Sequence, residues 1–307
     1  MKIALTGATG FLGRYIAKRL VQSGHSLRCW YRPQSDRRGF DEINRATEWI
    51  PGDLGDRHAI ASLVSDVDAV VHAALQWQQQ GAFQAAGRKD LEGFLEANLM
   101  GSLRLFQAAR DASVPRFVFI STCAVHDVIL QDRPLDESHP LWPKSHYGAH
   151  KGAHKAALEK FVHSYGLGEG WPICALRPTG IYGVAHPASE SRYFDLVGKV
   201  LHDEPVASAL GGKEVHAADV AKAVELLLLA DAATITGQSY NCYDCYISEQ
   251  QVARIAKELA KSSSVITDLN RGPKNQIVTN KLCALGMKFG GESLLRQTVA
   301  ELIQAHR

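Results

Sequence analysis

The sequence predicts a doubly wound α/β fold: a parallel sheet covered by helices on both faces, with a smaller carboxyl-terminal lobe. Three observations predict it. Short β-branched runs alternate with stretches of helical periodicity. Three glycines, Gly7, Gly10 and Gly13, separate the apolar run Ile3-Ala4-Leu5 from a helical pattern over Arg14 to Ser23. Beyond Gly183 the segments become less regular, with Gly211-Gly212, Gly290-Gly291 and a Lys/Ser-rich piece near Ser262.

The first turn is the most informative. Thr6-Gly7-Ala8-Thr9-Gly10-Phe11-Leu12-Gly13 reads as a strand that bends sharply into a helix. Gly7 makes the tight turn, Gly10 lets the backbone approach a pyrophosphate, and Gly13 lets the helix pack on the strand. The helix amino terminus offers free N–H groups and the positive end of its dipole to an anion. The expected fold is therefore Rossmann-like, with a dinucleotide site. The second strand, Ser26-Leu27-Arg28-Cys29-Trp30-Tyr31, ends at Arg32, and Arg37 and Arg38 follow. No acid occurs from Arg14 through Ser35, although an NAD site usually carries one about 20 residues past the glycines to hold the ribose 2′-hydroxyl. A guanidinium matches a 2′-phosphate, whereas a carboxylate repels it. NADP(H) is expected over NAD(H), which stays open, and Arg32 is the leading contact.

Further strands fall at Val67-Asp68-Ala69-Val70-Val71-His72, Arg116-Phe117-Val118-Phe119-Ile120-Ser121 and Pro172-Ile173-Cys174-Ala175-Leu176-Arg177. Helical periodicity fills Leu91 to Ala109 and His146 to Tyr165. Ligands of such sheets bind beyond the carboxyl ends of the strands. That rule gathers Thr6–Gly13, Arg32, His72–Leu75, Ser121–His126 and Pro178–Gly183 on one rim. Residues 1–182 are expected to form the dinucleotide-binding domain. A returning segment near 215–245 includes a helix starting near Asp219, with Val220, Ala223, Val224, Leu227 and Leu228 on one face. Residues 183–307 supply most of a smaller substrate lobe.

Tyr147-Gly148-Ala149-His150-Lys151 places a phenol and an ammonium four residues apart, hence on one helical face. The lysine favours the phenolate and lowers a pKa that starts near ~10. Such a tyrosine can pass a proton to or from a substrate oxygen while hydride moves. Thr122, just past a strand end, is placed to hydrogen-bond the same oxygen.

Together these pieces resemble an extended short-chain dehydrogenase/reductase of the NAD-dependent epimerase/dehydratase family. The matching pieces are Thr6–Gly13, Gly52-Asp53-Leu54, His72-Ala73-Ala74, Asn98, Ser121-Thr122, Tyr147–Lys151, Leu176–Gly183, Asn280-Lys281-Leu282 and Leu285-Gly286. The resemblance implies Thr122, Tyr147 and Lys151 as the catalytic trio, with Lys151 also on the nicotinamide ribose. It implies that Asp53 and Leu54 contact the adenine, that the backbone after Ala73 lines the cofactor, and that Pro178 onward touches the nicotinamide end. It also allows a homodimer face on the two long helices. Three features depart from the family pattern, one being Arg177-Pro178 where many galactose epimerases carry Asn-Pro. Val125-His126-Asp127 stands where relatives often carry Val-Tyr-Gly, and the stretch from Gly183 to Val215 holds one arginine, Arg192.

Composition narrows the partners. The 307 residues carry 34 basic and 32 acidic side chains, a net charge of +2, which gives no reason to expect nucleic acid or an anionic membrane. The chain enters a strand at once and lacks an apolar run near the ~20 residues of a membrane helix, so a cytoplasmic protein acting on a small molecule is expected. The six cysteines are scattered, and the single pair Cys242-Tyr243-Asp244-Cys245 lacks further ligands at zinc spacing. His146, His150 and His154 form a stripe read as a partly exposed polar face, and no metal is expected. Gln76 and Trp77 are candidate substrate contacts, as is His126 unless it packs beneath its loop. The leading expectation is an NADP(H)-dependent oxidoreductase acting on a small carbonyl/alcohol pair. A sugar-nucleotide epimerase or dehydratase is the enzymatic alternative, and a non-catalytic cofactor sensor is the third.

Overall fold

The computed structural model describes residues 1–76, 90–144, 151–269 and 272–307. In chain order the first elements are β1 (Lys2–Thr6), α1 (Phe11–Gln22), β2 (Ser26–Tyr31), β3 (Thr47–Pro51), α2 (Arg57–Val64) and β4 (Ala69–His72). Next come α3 (Leu91–Leu95), α4 (Gly101–Asp111), β5 (Phe117–Ile120), α5 (Ala153–Glu169), β6 (Ile173–Pro178), β7 (Gly180–Tyr182) and α6 (Phe194–Leu201). The remainder is β8 (Gly211–His216), α7 (Ala217–Leu229), α8 (Ala232–Ile235), β9 (Gln238–Cys242), β10 (Cys245–Ser248), α9 (Glu249–Ala260), α10 (Asn280–Ala284) and α11 (Gly291–Ala305).

The chain divides into two compact units. Unit 1 comprises Met1–Pro178, Ala221–Cys242 and Ile277–Met287, and unit 2 comprises Thr179–Val220, Tyr243–Gln276 and Lys288–Arg307. The returning segment Ile277–Met287 is not anticipated by the sequence reading.

Unit 1 holds a seven-stranded sheet in the order β3-β2-β1-β4-β5-β6-β9, and every neighbouring pair in it is parallel. Every residue of β4, β5 and β6 is buried, as are Ile3 to Thr6 of β1. Burial on both faces explains why these strands read as continuous apolar runs instead of alternating ones. On one side, Val70, Phe117 and Phe119 meet Leu105, Phe106, Leu158 and Val162. The Phe106 and Phe117 rings sit edge to face at 4.9 Å. The edge strand β3 escapes the sequence pattern because it is only half-buried and carries Glu48 and a terminal Pro51.

The long helix expected over 91–109 is interrupted. A π-helical turn, Glu96–Met100, joins α3 to α4 and contains the buried Asn98. Such turns re-aim side chains inside an otherwise regular helix.

The β1–α1 turn follows its glycines. Gly7 has φ +75°, in the left-handed region. A β-carbon on Gly13 would overlap the Gly7 carbonyl oxygen, so the helix touches the strand end backbone to backbone.

Unit 2 contains a three-stranded sheet, β10-β8-β7, with β7 parallel and β10 antiparallel to β8. Helices α6, α9 and α11 bury Val197, Val200, Val252, Ala256, Leu295, Val299 and Leu302 around Ile247 of β10. Among the described residues, no helix is long and apolar enough to cross a membrane.

Gly13→Ala forces this contact apart and is expected to destabilise the protein by about 3 kcal/mol. Urea unfolding followed by circular dichroism checks this; a change under about 1 kcal/mol would mean the turn tolerates a side chain.

Candidate active site

The sheet order places a switch point between β1 and β4, where strand order reverses and α/β sheets bind ligands. Thr6 and His72 are register partners at the carboxyl ends of these strands. Beyond them the Gly7 turn meets Ala73 and Ala74 so closely that a β-carbon on Gly7 would lie 2.8 Å from the Ala74 nitrogen. The wall is therefore backbone on both sides. At α1, Gly10 is the N-cap residue, no side chain caps the helix, and no acid lies in its first turn. The first amides of the helix, at Phe11, Leu12 and Gly13, have no acceptor within it.

A buried relay fixes the two strand ends. The Ala74 N–H donates to Thr6 Oγ1 at 3.2 Å, and Thr6 Oγ1 meets His72 Nδ1 at 2.7 Å. His72 Nε2 meets Ser102 Oγ at 2.8 Å, and Ser102 donates to the Asn98 carbonyl. Because Ser102 gives its proton to the Asn98 carbonyl, His72 Nε2 carries a proton and donates to Ser102, and in the neutral ring Nδ1 accepts from Thr6. Burial holds the His72 pKa well below its usual value, and the nearby Lys155 and His154 charges act in the same direction. From the π-helical turn, Asn98 also accepts from the Gln76 N–H at 2.7 Å and donates to the Gln76 carbonyl at 2.9 Å. Gln76 is thus held by its main chain. Trp77, the other candidate beside it, lies outside the described residues.

The basic segment after β2 resolves into different roles. Arg38 forms a two-pronged ion pair with Asp36, and the Arg37 guanidinium lies 4.2 Å over the Tyr31 ring. The side chain of Arg32 makes no ion pair or hydrogen bond among the described residues; its backbone N–H donates to Ser35 Oγ at 2.9 Å. Arg14, which the sequence reading passed over, organises this loop. Its guanidinium donates to the carbonyls of Thr9, Arg38 and Asp36 and covers the Phe40 ring at 4.5 Å. Asp53 follows β3, where its carboxylate accepts from the Gly55 N–H at 2.8 Å. Leu54 is buried against Gly101.

Thr122 stands past the end of β5. Its Oγ1 accepts from the Ala124 N–H at 3.1 Å, which leaves its own proton for another acceptor. A β-carbon on Gly152 would lie 2.9 Å from the Ala124 carbonyl, so the backbone next to Lys151 reaches the turn that carries Thr122. Lys151 is buried, and loss of hydration pushes its pKa down to about 7. Tyr147, His146 and His150 lie outside the described residues. His154 does not form part of an exposed stripe: it is buried with its ring edge-on to Phe94 at 5.2 Å.

Behind Thr122 lies a buried charge cluster. Arg177 donates to both Glu159 oxygens, with the closest contact at 2.6 Å. Ser121 and Ser239 donate to the same carboxylate. Burial pushes the Glu159 pKa up, but Arg177 and these hydrogen bonds together hold it below the usual carboxylate range. Lys155 donates to the Ile120 carbonyl at 2.7 Å, and burial lowers its pKa to about 7 against the pull of Glu159. His126 belongs to this packing. It is 5% exposed, with Nδ1 3.3 Å from the Pro140 carbonyl and Nε2 3.4 Å from Arg177 Nη1. Burial and Arg177 bring its pKa down to about 4. Its expected role in substrate contact gives way to the packing alternative. The sequence clue to the cluster was Glu159 four residues after Lys155, on the buried face of a helix. Pro178 ends β6 and is buried opposite Cys242.

None of the six cysteines is in a disulfide. Among the described residues, no three His, Cys, Asp or Glu side chains are grouped to hold a metal ion.

The model of the NAD dependent epimerase/dehydratase family matches residues 3–242. The chain belongs to this family. A ketoreductase of Stigmatella aurantiaca that acts, by its name, on 4-hydroxy-2-methyl-3-oxo-4-farnesyl-3,4-dihydroquinoline-1-oxide is 32% identical over 64% of this chain. The match covers 55% of that protein, so this chain spans little more than half of it. The dTDP-D-glucose 4,6-dehydratase of Mus musculus is 27% identical over 84% of this chain and 72% of its own. A solved structure, the UDP-glucose 4-epimerase of Thermus thermophilus in complex with NAD, aligns with a TM-score of 0.75 over 99% of both chains at 24% identity. That likeness is one of fold. The residues present fit the dinucleotide of an epimerase/dehydratase family member: the crevice is walled by backbone, and the helix end above it is uncapped and free of acid.

Glu159→Gln leaves Arg177 and Lys155 buried without their counter-charge and is expected to cost about 3 kcal/mol. The depressed carboxylate pKa implies stability that is present above the usual carboxylate range and lost as the pH falls below it. Urea titrations of both proteins at neutral pH check this; loss of less than about 1 kcal/mol would show the cluster to be energetically neutral.

Proposed function

We propose that the protein is an NADP(H)-dependent oxidoreductase that interconverts a small carbonyl and its alcohol. The observation that carries this reading is Arg32 after the end of β2, whose side chain makes no ion pair or hydrogen bond among the described residues, together with a first turn of α1 that carries no acid. Gly7, Thr9, Gly10, Phe11, Leu12 and Gly13 would hold the pyrophosphate through backbone amides, and Arg32 the 2′-phosphate. Asp53 and Leu54 would border the adenine. Ala73, Ala74 and Pro178 would line the path toward the nicotinamide. The cofactor supplies the hydride.

The protein's own residues supply position and proton. Tyr147 is the general acid/base at the substrate oxygen. Lys151, as the ammonium, favours the phenolate and holds ribose hydroxyls. Thr122 donates its free proton to the same oxygen. Gln76 and Trp77 remain candidate substrate contacts, whereas the burial of His126 argues for support of the Thr122 turn.

A second reading, a sugar-nucleotide dehydratase or epimerase, is favoured by the mouse dehydratase match across 84% of this chain. The two differ in net redox change: the first consumes NADPH with a carbonyl substrate, and the second returns its cofactor unchanged.

Tyr147→Phe is expected to lower turnover at least about a hundredfold while NADPH affinity stays within about twofold, by stopped-flow absorbance and fluorescence titration. Retained turnover would remove Tyr147 from the mechanism. Arg32→Ala is expected to weaken NADPH about tenfold and leave NADH unchanged, a difference of about 1.4 kcal/mol. Tighter binding of NADH than of NADPH by the unaltered protein would overturn the cofactor assignment.

A further inference from the structure

Arg14 links two parts of unit 1 that are separate in sequence. It lies in the first turn of α1, directly after the glycine turn. Its Nε donates back to the Thr9 carbonyl at 3.3 Å. Its two terminal nitrogens reach across to the loop after β2, Nη1 to the Arg38 carbonyl at 2.7 Å and Nη2 to the Asp36 carbonyl at 2.6 Å. The guanidinium covers Phe40, which is buried edge-on to Trp49 at 5.0 Å. Three carbonyls in three directions match the planar fork of an arginine. A lysine carries its donors on a single atom and cannot replace it.

The loop that Arg14 holds is the one that carries Arg32. The Arg32 N–H donates to Ser35 Oγ at 2.9 Å, and the Ser35 N–H returns a bond to the Arg32 carbonyl at 2.8 Å. Asp36 follows at once, and its carboxylate accepts from the Arg38 N–H at 2.9 Å. A closed run of turns therefore leads from Arg32 to the two carbonyls on Arg14. The 2′-phosphate and the pyrophosphate of NADP(H) hang from one ribose. Groups that hold both must keep a fixed separation, and Arg14 spans from the glycine turn to the loop.

We propose that Arg14 is the positioning residue for cofactor selection: it sets Arg32 at a fixed distance from the glycine turn and so gives NADPH its advantage over NADH, without itself touching the cofactor. The proposal rests on the NADP(H) reading above. NADH has no 2′-phosphate and needs the glycine turn alone. That turn keeps its own supports when Arg14 is lost, the Gly10 N–H bond to the Gly7 carbonyl at 3.0 Å and the close packing of Gly13. Loss of Arg14 therefore acts on NADPH and spares NADH.

The test is fluorescence titration of the full chain with NADPH and with NADH, melting curves confirming that each variant is folded. Arg14→Ala is expected to weaken NADPH about tenfold and NADH by less than about threefold. Arg14→Lys keeps the charge without the fork and is expected to weaken NADPH as much as Arg14→Ala does. Because Arg14 acts through Arg32, Arg14→Ala combined with Arg32→Ala is expected to lose no more than about twofold beyond Arg32→Ala alone. Trypsin gives a readout free of cofactor. In this loop it cuts after the exposed Arg37 and Arg38 and not after Arg32, which precedes Pro33. Cleavage there is expected to be faster in both Arg14 variants. An unchanged preference for NADPH over NADH in these variants, or unchanged cleavage, would overturn the proposal. So would full NADPH affinity in Arg14→Lys or additive losses in the double variant, either of which would make Arg14 a direct phosphate ligand. Tighter binding of NADH than of NADPH by the unaltered protein would instead bring down the NADP(H) reading on which the proposal rests.

Discussion

The structure of unit 1 depends on one close approach. The Gly7 turn presses against Ala73-Ala74 on one side and carries Gly13 of α1 on the other, with no side chain between them. Two parallel strands separate at this point because their connections leave in opposite directions across the sheet. A gap walled by backbone and bounded by an uncapped helix amino terminus suits an anion. The relay from Ala74 through Thr6, His72 and Ser102 to Asn98 holds the two walls at a fixed separation. Burial holds the pKa of its histidine well below the usual value.

A second layer of polar order lies behind Thr122. The Arg177–Glu159 pair, with Ser121, Ser239 and Lys155, sits under the turn that presents the threonine hydroxyl. Buried ion pairs seldom add stability over apolar packing, but removing one member is costly, so they specify geometry more than they stabilise it. The same reasoning separates Arg14 from Arg32. Arg14 spends its guanidinium on three main-chain carbonyls and shapes the loop, and the Arg32 side chain makes no ion pair or hydrogen bond among the described residues.

The sequence made the sheet and its glycine turn readable because both rest on local signals. Those signals are β-branched runs for buried strands, and glycine where a β-carbon cannot fit. Strand β3 was lost because an edge strand alternates weakly and tolerates Glu48 and Pro51. The π-helical turn around Asn98 leaves no periodic trace, since the apolar spacing continues through it. Long-range polar networks were the hardest to read. Glu159, Arg177 and Ser239 are far apart in sequence, and nothing local in a lone buried charge names its partner. For His126 the sequence left open substrate contact or packing beneath its loop, and the side chain turns inward to Pro140 and Arg177.

The central claim is that the backbone crevice between β1 and β4 receives the pyrophosphate of NADP(H). Amide hydrogen exchange with and without NADPH tests it most directly. Slowed exchange concentrated at Phe11, Leu12, Gly13 and Ala74 is the expected result. Exchange at these amides that is unchanged by saturating NADPH, with protection appearing elsewhere in the chain, would contradict it.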